Sequence, residues 1–380
     1  MEDEVCYTKS RKYWNIYLKE GDYYMNFFDI FVKTLSNEKI NSAIISSVAI
    51  ILLGYVMRRK KVFDDRTAKV LTQVVLSVSI AALAFKSFMA PIKPETFTQG
   101  LNVLIWGIVI YILLIFLTIP LYAKFEGDEQ DALRVLSIFG STTFFGIPIV
   151  SAIYGAEGAL YASIFNIGYR IFLYSYGYIK MSGLKMTSKN IKSMFLNPIV
   201  IATFLGLFLW LAQAYLPQVT VAVKDATSGE MVNKSVSFMR LDLTSPQITQ
   251  ILTYLAGLSS PLAWLAIGST LGSVNFKDAM TDKKALYYTF IKLLIIPAFN
   301  IVVLAILTVT HILPVNLVSL GTTVIMMATP PATVAASYAI RFDKGALVAS
   351  NTSLIATLAA VIMAPIWIVI VELIGHLGIF

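Results

Sequence analysis

The chain has 380 residues, of which 57% are hydrophobic and only 14% are charged, and its formal net charge is +8. This composition excludes an ordinary soluble protein and is typical of a protein that crosses a membrane many times. A single cysteine, Cys6, excludes an intrachain disulfide, and two histidines, His311 and His376, argue against a metal site or a bound cofactor.

Residues 1–40 form an N-terminal extension before the first long apolar block. The extension lacks the apolar core of a cleavable signal peptide. Residues 23–36, YYMNFFDIFVKTLS, predict an amphipathic helix that lies in the membrane interface.

Apolar blocks recur from residue 41 to residue 374, each near the ~20 residues with which a helix crosses a bilayer. They predict an all-α polytopic membrane protein with ten transmembrane helices. The predicted spans are 41–57, 67–90, 101–123, 133–154, 158–180, 195–216, 247–273, 285–309, 315–340 and 346–374.

Lysine and arginine concentrate in the loops that follow the odd-numbered spans, as in the run from Arg58 to Lys61. Because cytoplasmic loops are enriched in these residues, the bias predicts that both termini are extracytoplasmic, although the basic N-terminal extension alone would favour the cytoplasm. The net charge follows from this loop bias and from contact with the lipid bilayer, so it does not indicate nucleic-acid binding.

The order of the blocks contains a repeat. Residues 139–155 and 326–342 both surround a proline, Pro148 or Pro330, with small and hydroxyl residues, and residues 77–89 resemble 257–271 at a similar offset. The chain therefore predicts two five-span halves, 41–181 and 195–374.

Because five is odd, the second half must enter the membrane from the opposite side, which is the plan of many transporters with broken helices near the midplane. The alternative is that each proline only kinks a helix.

Residues 217–246 form an insert in the second half. Two alternating stretches, VTVAV and VSFMRL, flank the turn sequence DATSG and predict an external β-hairpin. The hairpin either caps the outer vestibule or is a tolerated loop insertion.

Four motifs occur in a fixed order: GSTTFFGIP at 140–148, NPIVIATFLG at 197–206, SSPLAWLAIG at 259–268 and MATPPAT at 327–333. With these motifs the chain resembles the auxin efflux carrier family, which includes plant PIN-type auxin carriers and bacterial malate permeases, within a superfamily that also holds the bile acid/sodium symporters.

The resemblance implies two inverted five-helix repeats, termini outside the cytoplasm, and a site for an organic anion where broken helices 4 and 9 cross at the midplane. The resemblance also leads us to expect a homodimer. The chain departs from the family's pattern at Ser141, Val334 and Ala81, so the identity of the substrate does not carry over.

Arg170 lies near the middle of the apolar run 159–179, and no carboxylate is evident in the membrane interior. A buried cation without a counter-ion suggests that the substrate supplies a carboxylate, which a guanidinium binds with two parallel hydrogen bonds. Two alternatives remain: Arg170 caps backbone carbonyls freed by a broken helix, or it lies at the membrane edge. Asn166, one helical turn earlier, could orient the Arg170 side chain.

Broken helices present unpaired N–H groups and the positive ends of their dipoles to an anion. The candidate substrate-binding residues are Ser141, Thr142, Thr143, Pro148, Asn166, Arg170, Thr329, Pro330, Pro331 and Thr333. Lys86 and Lys292 are further candidates for anion contact, with snorkelling to the headgroups as the alternative. Asn300 and Asn351 are expected to pack helices together.

The sequence thus predicts a secondary transporter that moves a small organic anion such as malate across the cell membrane by an elevator or alternating-access mechanism. Since no titratable group is evident in the pathway, uniport or exchange ranks before sodium coupling, and proton symport comes third. The alternatives are a sodium-coupled symporter of the bile-acid type and a ligand-binding sensor without transport. An enzyme is not expected, because the sequence lacks a catalytic carboxylate pair or histidine dyad within the membrane.

Overall fold

Helices make up most of the chain in the structure, a computed structural model that describes residues 6–10, 13–20, 23–26, 38–64, 66–183, 196–224, 231–273, 281–376 and 378–380. The helices of the first half are α1 Glu38–Arg59, α2 Thr67–Ser87, α3 Pro94–Leu121, α4 Gly127–Ile138 and α5 Thr142–Ser182. Those of the second half are α6 Pro198–Ala212, α7 Leu241–Thr244, α8 Pro246–Gly272, α9 Lys283–Val309, α10 Leu317–Met327, α11 Thr333–Arg341 and α12 Ala346–Gly375.

The N-terminal extension contains three strands, β1 Cys6–Ser10, β2 Tyr13–Glu20 and β3 Tyr23–Asn26, which pair as an antiparallel sheet. The predicted interfacial helix over 23–36 is therefore wrong at its start, because the aromatic residues there continue a strand ladder in which Glu20 pairs with Tyr23. The remainder of that prediction, 27–36, lies outside the described residues.

The predicted hairpin in the insert is confirmed. Strands β4 Gln218–Lys224 and β5 Met231–Ser237 pair in antiparallel register from Gln218 opposite Ser237 to Lys224 opposite Met231. On which side of the membrane it lies stays a prediction.

Among the described residues, seven helices are long and apolar enough to cross a membrane: α1, α2, α3, α5, α8, α9 and α12. Helices α6 and α10 are apolar but shorter. The protein is therefore a multi-pass helical membrane protein, whereas the count of ten spans and their inverted arrangement stay predictions.

Helix α5 is 41 residues long, about twice the length that a ~30 Å hydrocarbon core requires. Its backbone is broken at Gly155, whose φ of 61° and ψ of −141° suit glycine because it has no Cβ. The break separates a first arm, 142–154, from a second arm, 156–182.

Two interruptions meet inside the protein at what we call the crossover, residues 139–141 and 330–332. Helix α4 ends at Ile138 and helix α10 at Met327, and the chain then runs without helical pairing to α5 and α11. Gly140 pairs with Pro331 as an isolated antiparallel bridge. The N–H of Ser141 donates to the Pro330 carbonyl (2.7 Å), and the N–H of Ala332 donates to the Phe139 carbonyl (2.9 Å). The two interruptions thus satisfy each other's backbone groups.

The helices pack as two groups. In group one, α1 lies along α8, and α2 packs against α6 and α8. In group two, α3 packs on α5, while α10 contacts α5 and α12 and α9 packs on α12. The groups meet mainly where α5 touches α1, α2 and α8.

Candidate substrate-binding site at the crossover

The crossover brings helix ends of both signs together. Helices α5 and α11 begin there, so the N–H groups of their first turns lack intrahelical acceptors and carry partial positive charge. Helices α4 and α10 end there with carbonyl oxygens that carry partial negative charge. The arrangement can bind an anion on one side and a cation on the other.

A small pocket of about 100 Å³, here called the Arg170 pocket, lies at the beginning of α5 and α11. Its polar lining is Ser141, Thr143, Tyr169, Arg170, Tyr174, Asn197 and Thr333. The structure therefore brings four of the predicted site residues together, Ser141 and Thr143 from the crossover side, Arg170 from the second arm of α5, and Thr333 from α11.

Arg170 is buried, with 8% of its surface exposed. Within the described residues its guanidinium makes no hydrogen bond and no ion pair with a carboxylate. The alternative in which Arg170 caps freed carbonyls is therefore not what the structure contains. Its N–H donors remain available to whatever enters the pocket.

A larger cavity of about 880 Å³, the large cavity, adjoins this pocket, and Leu76, Ser141, Phe144 and Thr333 line both. It runs between the two helix groups, with Pro330 and Pro331 on one wall and Ser269 and Thr270 of α8 on the other.

The two spaces differ in what they can hold. The large cavity lies within the ~300–1,000 Å³ range of ligand sites. The Arg170 pocket has room for about three water molecules at ~30 Å³ each, which suits a charged head group rather than a whole ligand.

The mouth of the large cavity is charged and lies beside the loop between α1 and α2. Arg58 and Lys69 oppose one carboxylate, Asp64, among its lining residues. Asp64 accepts hydrogen bonds from the Thr67 hydroxyl (2.7 Å), the Thr67 N–H (2.8 Å) and the Arg66 N–H (3.0 Å), which lower its pKa below the usual value. Asp64 thus stays ionised at neutral pH, and the charged lining still has one positive charge in excess.

Lys86 lies elsewhere, in a third cavity of about 380 Å³ between α2, α8 and the Gly155 break, here called the Lys86 cavity. Lys69 at the large cavity and Lys86 are 17 residues apart on α2, which corresponds to about 25 Å along a helix. Between the two cavities, the Ser260 hydroxyl of α8 donates to the Pro148 carbonyl (2.9 Å). Lys86 therefore does not share a pocket with Arg170.

Three candidate residues point away from the pockets. The Thr142 hydroxyl donates to the Asn166 side-chain oxygen (2.6 Å), both residues are fully buried, and the Asn166 amide nitrogen has no partner in the part of the chain that the structure describes. The Thr329 hydroxyl, two residues after α10 ends, donates to the Met326 carbonyl in the last turn of that helix (2.9 Å). These side chains make hydrogen bonds inside the protein next to the crossover and do not line the large cavity or the Arg170 pocket.

The prediction that Pro148 marks the break in the first half is wrong. The break lies at residues 139–141, and Pro148 follows inside the first arm of α5, after a π-helical turn at Thr142–Gly146. The wider turn is a physical consequence of proline, which cannot donate to the preceding turn and whose ring needs room there. In the second half, Pro330 lies at the break itself.

The snorkelling alternative for Lys292 is also wrong. Lys292 is fully buried, and its Nζ donates to the carbonyl oxygen of Ser137 (3.0 Å) near the end of α4. It lies in a π-helical segment of α9, Ile291–Ile295, shortly before Pro297. The capping role considered for Arg170 thus belongs to Lys292, and the only sequence signal for it was a lysine close before a proline inside an apolar span.

Sequence reasoning also missed Asn197, which lines the Arg170 pocket and caps α6 by accepting a hydrogen bond from the Ile199 N–H (2.9 Å). An asparagine followed by proline before an apolar run is a helix-start signal that could have identified it. The packing prediction is confirmed for Asn300, which bonds to Trp106 and Thr323, and for Asn351, which donates to Asp282.

Comparison with known proteins gives one family and several relatives. Residues 40–368 match the model of a family described as membrane transport protein. A protein from Methanothermobacter thermautotrophicus, described as an uncharacterized transporter, is 24% identical over 335 residues, which cover 86% of this chain and 97% of the relative. The uncharacterized transporter YfdV of Escherichia coli K12 is 24% identical over 346 residues, covering 86% of this chain and 96% of its own length.

Proposed function

The chain belongs to the membrane transport protein family, which is the auxin efflux carrier family, and we propose that this member is a secondary transporter for a small organic anion such as malate or another carboxylate. The family is one of transporters and not of enzymes. The observation that carries the proposal is Arg170, a buried guanidinium whose pocket holds no carboxylate among the described residues.

Recognition of the anion follows from the geometry of the pocket. A carboxylate in the Arg170 pocket meets a fork-shaped donor that matches its two oxygens, the hydroxyls of Ser141, Thr143 and Thr333, and the positive ends of α5 and α11. Each of these groups offers a donor, so the pocket discriminates against cations. The rest of the substrate would occupy the large cavity.

Movement would follow an elevator form of alternating access. The large cavity and the Lys86 cavity both lie between the helix groups, at opposite ends of α2 and α8. If group two slides along group one, the crossover and Arg170 travel as one unit and the site changes the side to which it opens. Contacts within the groups far exceed those between them, which supports such a motion.

The charged mouth of the large cavity gives the proposed direction of opening. It lies beside the α1–α2 loop, and the basic residues of that loop support a position on the cytoplasmic side of the cell membrane. The structure would then be an inward-facing form with both termini extracytoplasmic. For energy coupling, uniport or exchange stands first, and sodium symport of the bile-acid type is the alternative.

A flux screen tests the proposal. The purified protein is reconstituted in proteoliposomes and tested with malate, lactate, succinate, citrate and indole-acetate under imposed sodium, proton and voltage gradients. We expect at least one carboxylate to be moved without a sodium gradient. Binding of a carboxylate with no movement in either direction would instead assign the protein as a sensor, and flux only with a sodium gradient would favour the symporter.

A further inference from the structure

Two side chains of α9 cap the end of α4 at the crossover. The Tyr288 hydroxyl donates to the Leu136 carbonyl (2.9 Å), and the Lys292 Nζ donates to the Ser137 carbonyl (3.0 Å). The two donors are four residues apart and thus lie on one face of α9. They satisfy carbonyl groups that have no partner inside α4, because the last turn of a helix leaves its carbonyls free.

The position suits a positive charge. Lys292 is completely buried, and the described residues place no carboxylate in an ion pair with it. The end of α4 carries about half a negative elementary charge from the aligned peptide dipoles. An ammonium group at this point is therefore held by the helix itself and not by an acidic side chain.

The packing around the ammonium leaves little room for anything else. A Cβ added at Gly140 would lie 3.0 Å from the Lys292 Nζ and would collide with the Thr329 hydroxyl. Gly140 is also the residue that bridges to Pro331. The Nζ thus lies directly behind the crossover, on the negative side of the break, while Arg170 lies on the positive side.

In transporters with broken helices, carbonyl oxygens at the negative ends of half-helices are the ligands of coupling cations. In this protein the Lys292 ammonium group already binds a carbonyl oxygen at the end of α4. We propose that Lys292 is a built-in cation that takes the place of a coupling ion at the α4 end, so that the crossover binds no sodium there. The inference rests on the proposed transport function, because only a transporter has a coupling ion. The role of Lys292 at the end of α4 can be tested without measuring transport.

Because the lysine acts through the end of α4, it is a positioning residue. Three variants separate charge from packing. Lys292→Met removes the charge and shortens the unbranched side chain by one atom, Lys292→Arg keeps the charge, and Lys292→Ala opens a space of about the size of a propylammonium ion.

The first measurement is the melting temperature of the purified protein in detergent, in sodium chloride, choline chloride or propylammonium chloride at equal concentration. We expect the wild type to melt at one temperature in all three salts. Lys292→Ala should melt lower in choline chloride and recover in propylammonium or sodium chloride, whereas Lys292→Met should melt lower in all three. A specific stabilisation of the wild type by sodium, or a Lys292→Met variant that melts like the wild type, would overturn the proposal.

The second measurement is uptake in proteoliposomes of a carboxylate that the screen identifies. Wild-type uptake should be equal in sodium and choline media. Lys292→Met should lose about tenfold or more, the size of effect that loss of a hydrogen bond from a charged donor produces, while Lys292→Arg should stay closer to the wild type. If no carboxylate is moved, the proposed function fails, and the melting experiment still decides the role of Lys292.

Discussion

Two buried cations lie on opposite sides of the crossover and differ in what they bind. Lys292 donates to a carbonyl oxygen of α4, while Arg170 donates to no group among the residues that the structure describes. The free donors of Arg170 face a pocket, whereas the Lys292 ammonium faces the end of α4. The difference supports the proposals that Arg170 contacts the substrate and that Lys292 supports the end of α4.

Replacement of Arg170 by glutamine should reduce uptake of the transported carboxylate by about 10- to 100-fold, because a hydrogen bond to a charged group contributes ~1.5–3 kcal/mol. The measurement is the initial rate of uptake in proteoliposomes as a function of substrate concentration. Lys86→Gln is the matched control, because it removes a half-buried cation from a different cavity and should keep most of the rate. Equal rates in both variants would remove Arg170 from the site.

At the scale of residues, the sequence predicted the candidate site residues but not the binding partner of each one. It predicted Arg170 from an unpaired charge in an apolar run, and it predicted Ser141, Thr143 and Thr333 from the hydroxyl residues that surround the repeated prolines; all four line the Arg170 pocket. It could not separate Arg170 from Lys292, because which cation reaches the end of α4 depends on how α9 packs. That packing joins residues 155 positions apart in the chain.

At the scale of elements, the breaks in the helices position the site. The turn at Gly155 divides α5 between the crossover and Arg170, and its backbone lies in a region that side chains disfavour. A Cβ at Gly155 would meet no atom within 4 Å, so only the backbone conformation restricts this position.

Gly155→Ala should therefore destabilise the protein by about 1–3 kcal/mol through strain alone. The measurement is the thermal unfolding temperature in detergent. Gly257→Ala is the control, because a Cβ there also meets no atom within 4 Å while the backbone is helical, and alanine should stabilise a helix by up to ~1 kcal/mol. A Gly155→Ala variant that unfolds at the wild-type temperature would mean that α5 tolerates a straight path here.

Element boundaries show why prolines alone do not locate the breaks. Pro330 lies at one break, but Pro148 lies inside a helix that a π-helical turn adapts to it. The break at residues 139–141 contains no proline and is stabilised by hydrogen bonds to the other half of the chain. A local pattern cannot report such a distant partner.

At the scale of the molecule, the two larger cavities lie at opposite ends of the same helices. The large cavity reaches Ser273 near the end of α8, and the Lys86 cavity reaches Thr253 near its beginning. If the protein alternates between sides, each cavity should connect to one aqueous compartment only.

Cysteine labelling tests this arrangement in a Cys6→Ala background. Ser273→Cys should react with a membrane-impermeant thiol reagent in inside-out vesicles and not in right-side-out vesicles, because the positive loop charge predicts that this end faces the cytoplasm. Thr253→Cys should show the reverse preference. Labelling of both cysteines from the same side would contradict the opposed cavities, and exchanged sides would reverse the orientation.

Composition alone predicted the class of the molecule, since apolar blocks of membrane-spanning length admit few other folds. It also predicted the hairpin at Gln218–Ser237 from alternation. The sequence predicted the spans 195–216 and 315–340, but the shorter bounds of α6 and α10 inside them, like the N-terminal strands, were not predictable because tertiary packing decides where such segments begin and end.

The pairing of residues 139–141 with 330–332 has a consequence for the order of biosynthesis. The carbonyl of Phe139 and the N–H of Ser141 meet their partners, Ala332 and Pro330, only after about 190 further residues have been made, which takes roughly 10–40 s at usual rates of synthesis. During that interval the first half carries unsatisfied backbone groups, which a bilayer penalises. The nascent chain should therefore stay bound to the insertion machinery or a chaperone until its second half arrives.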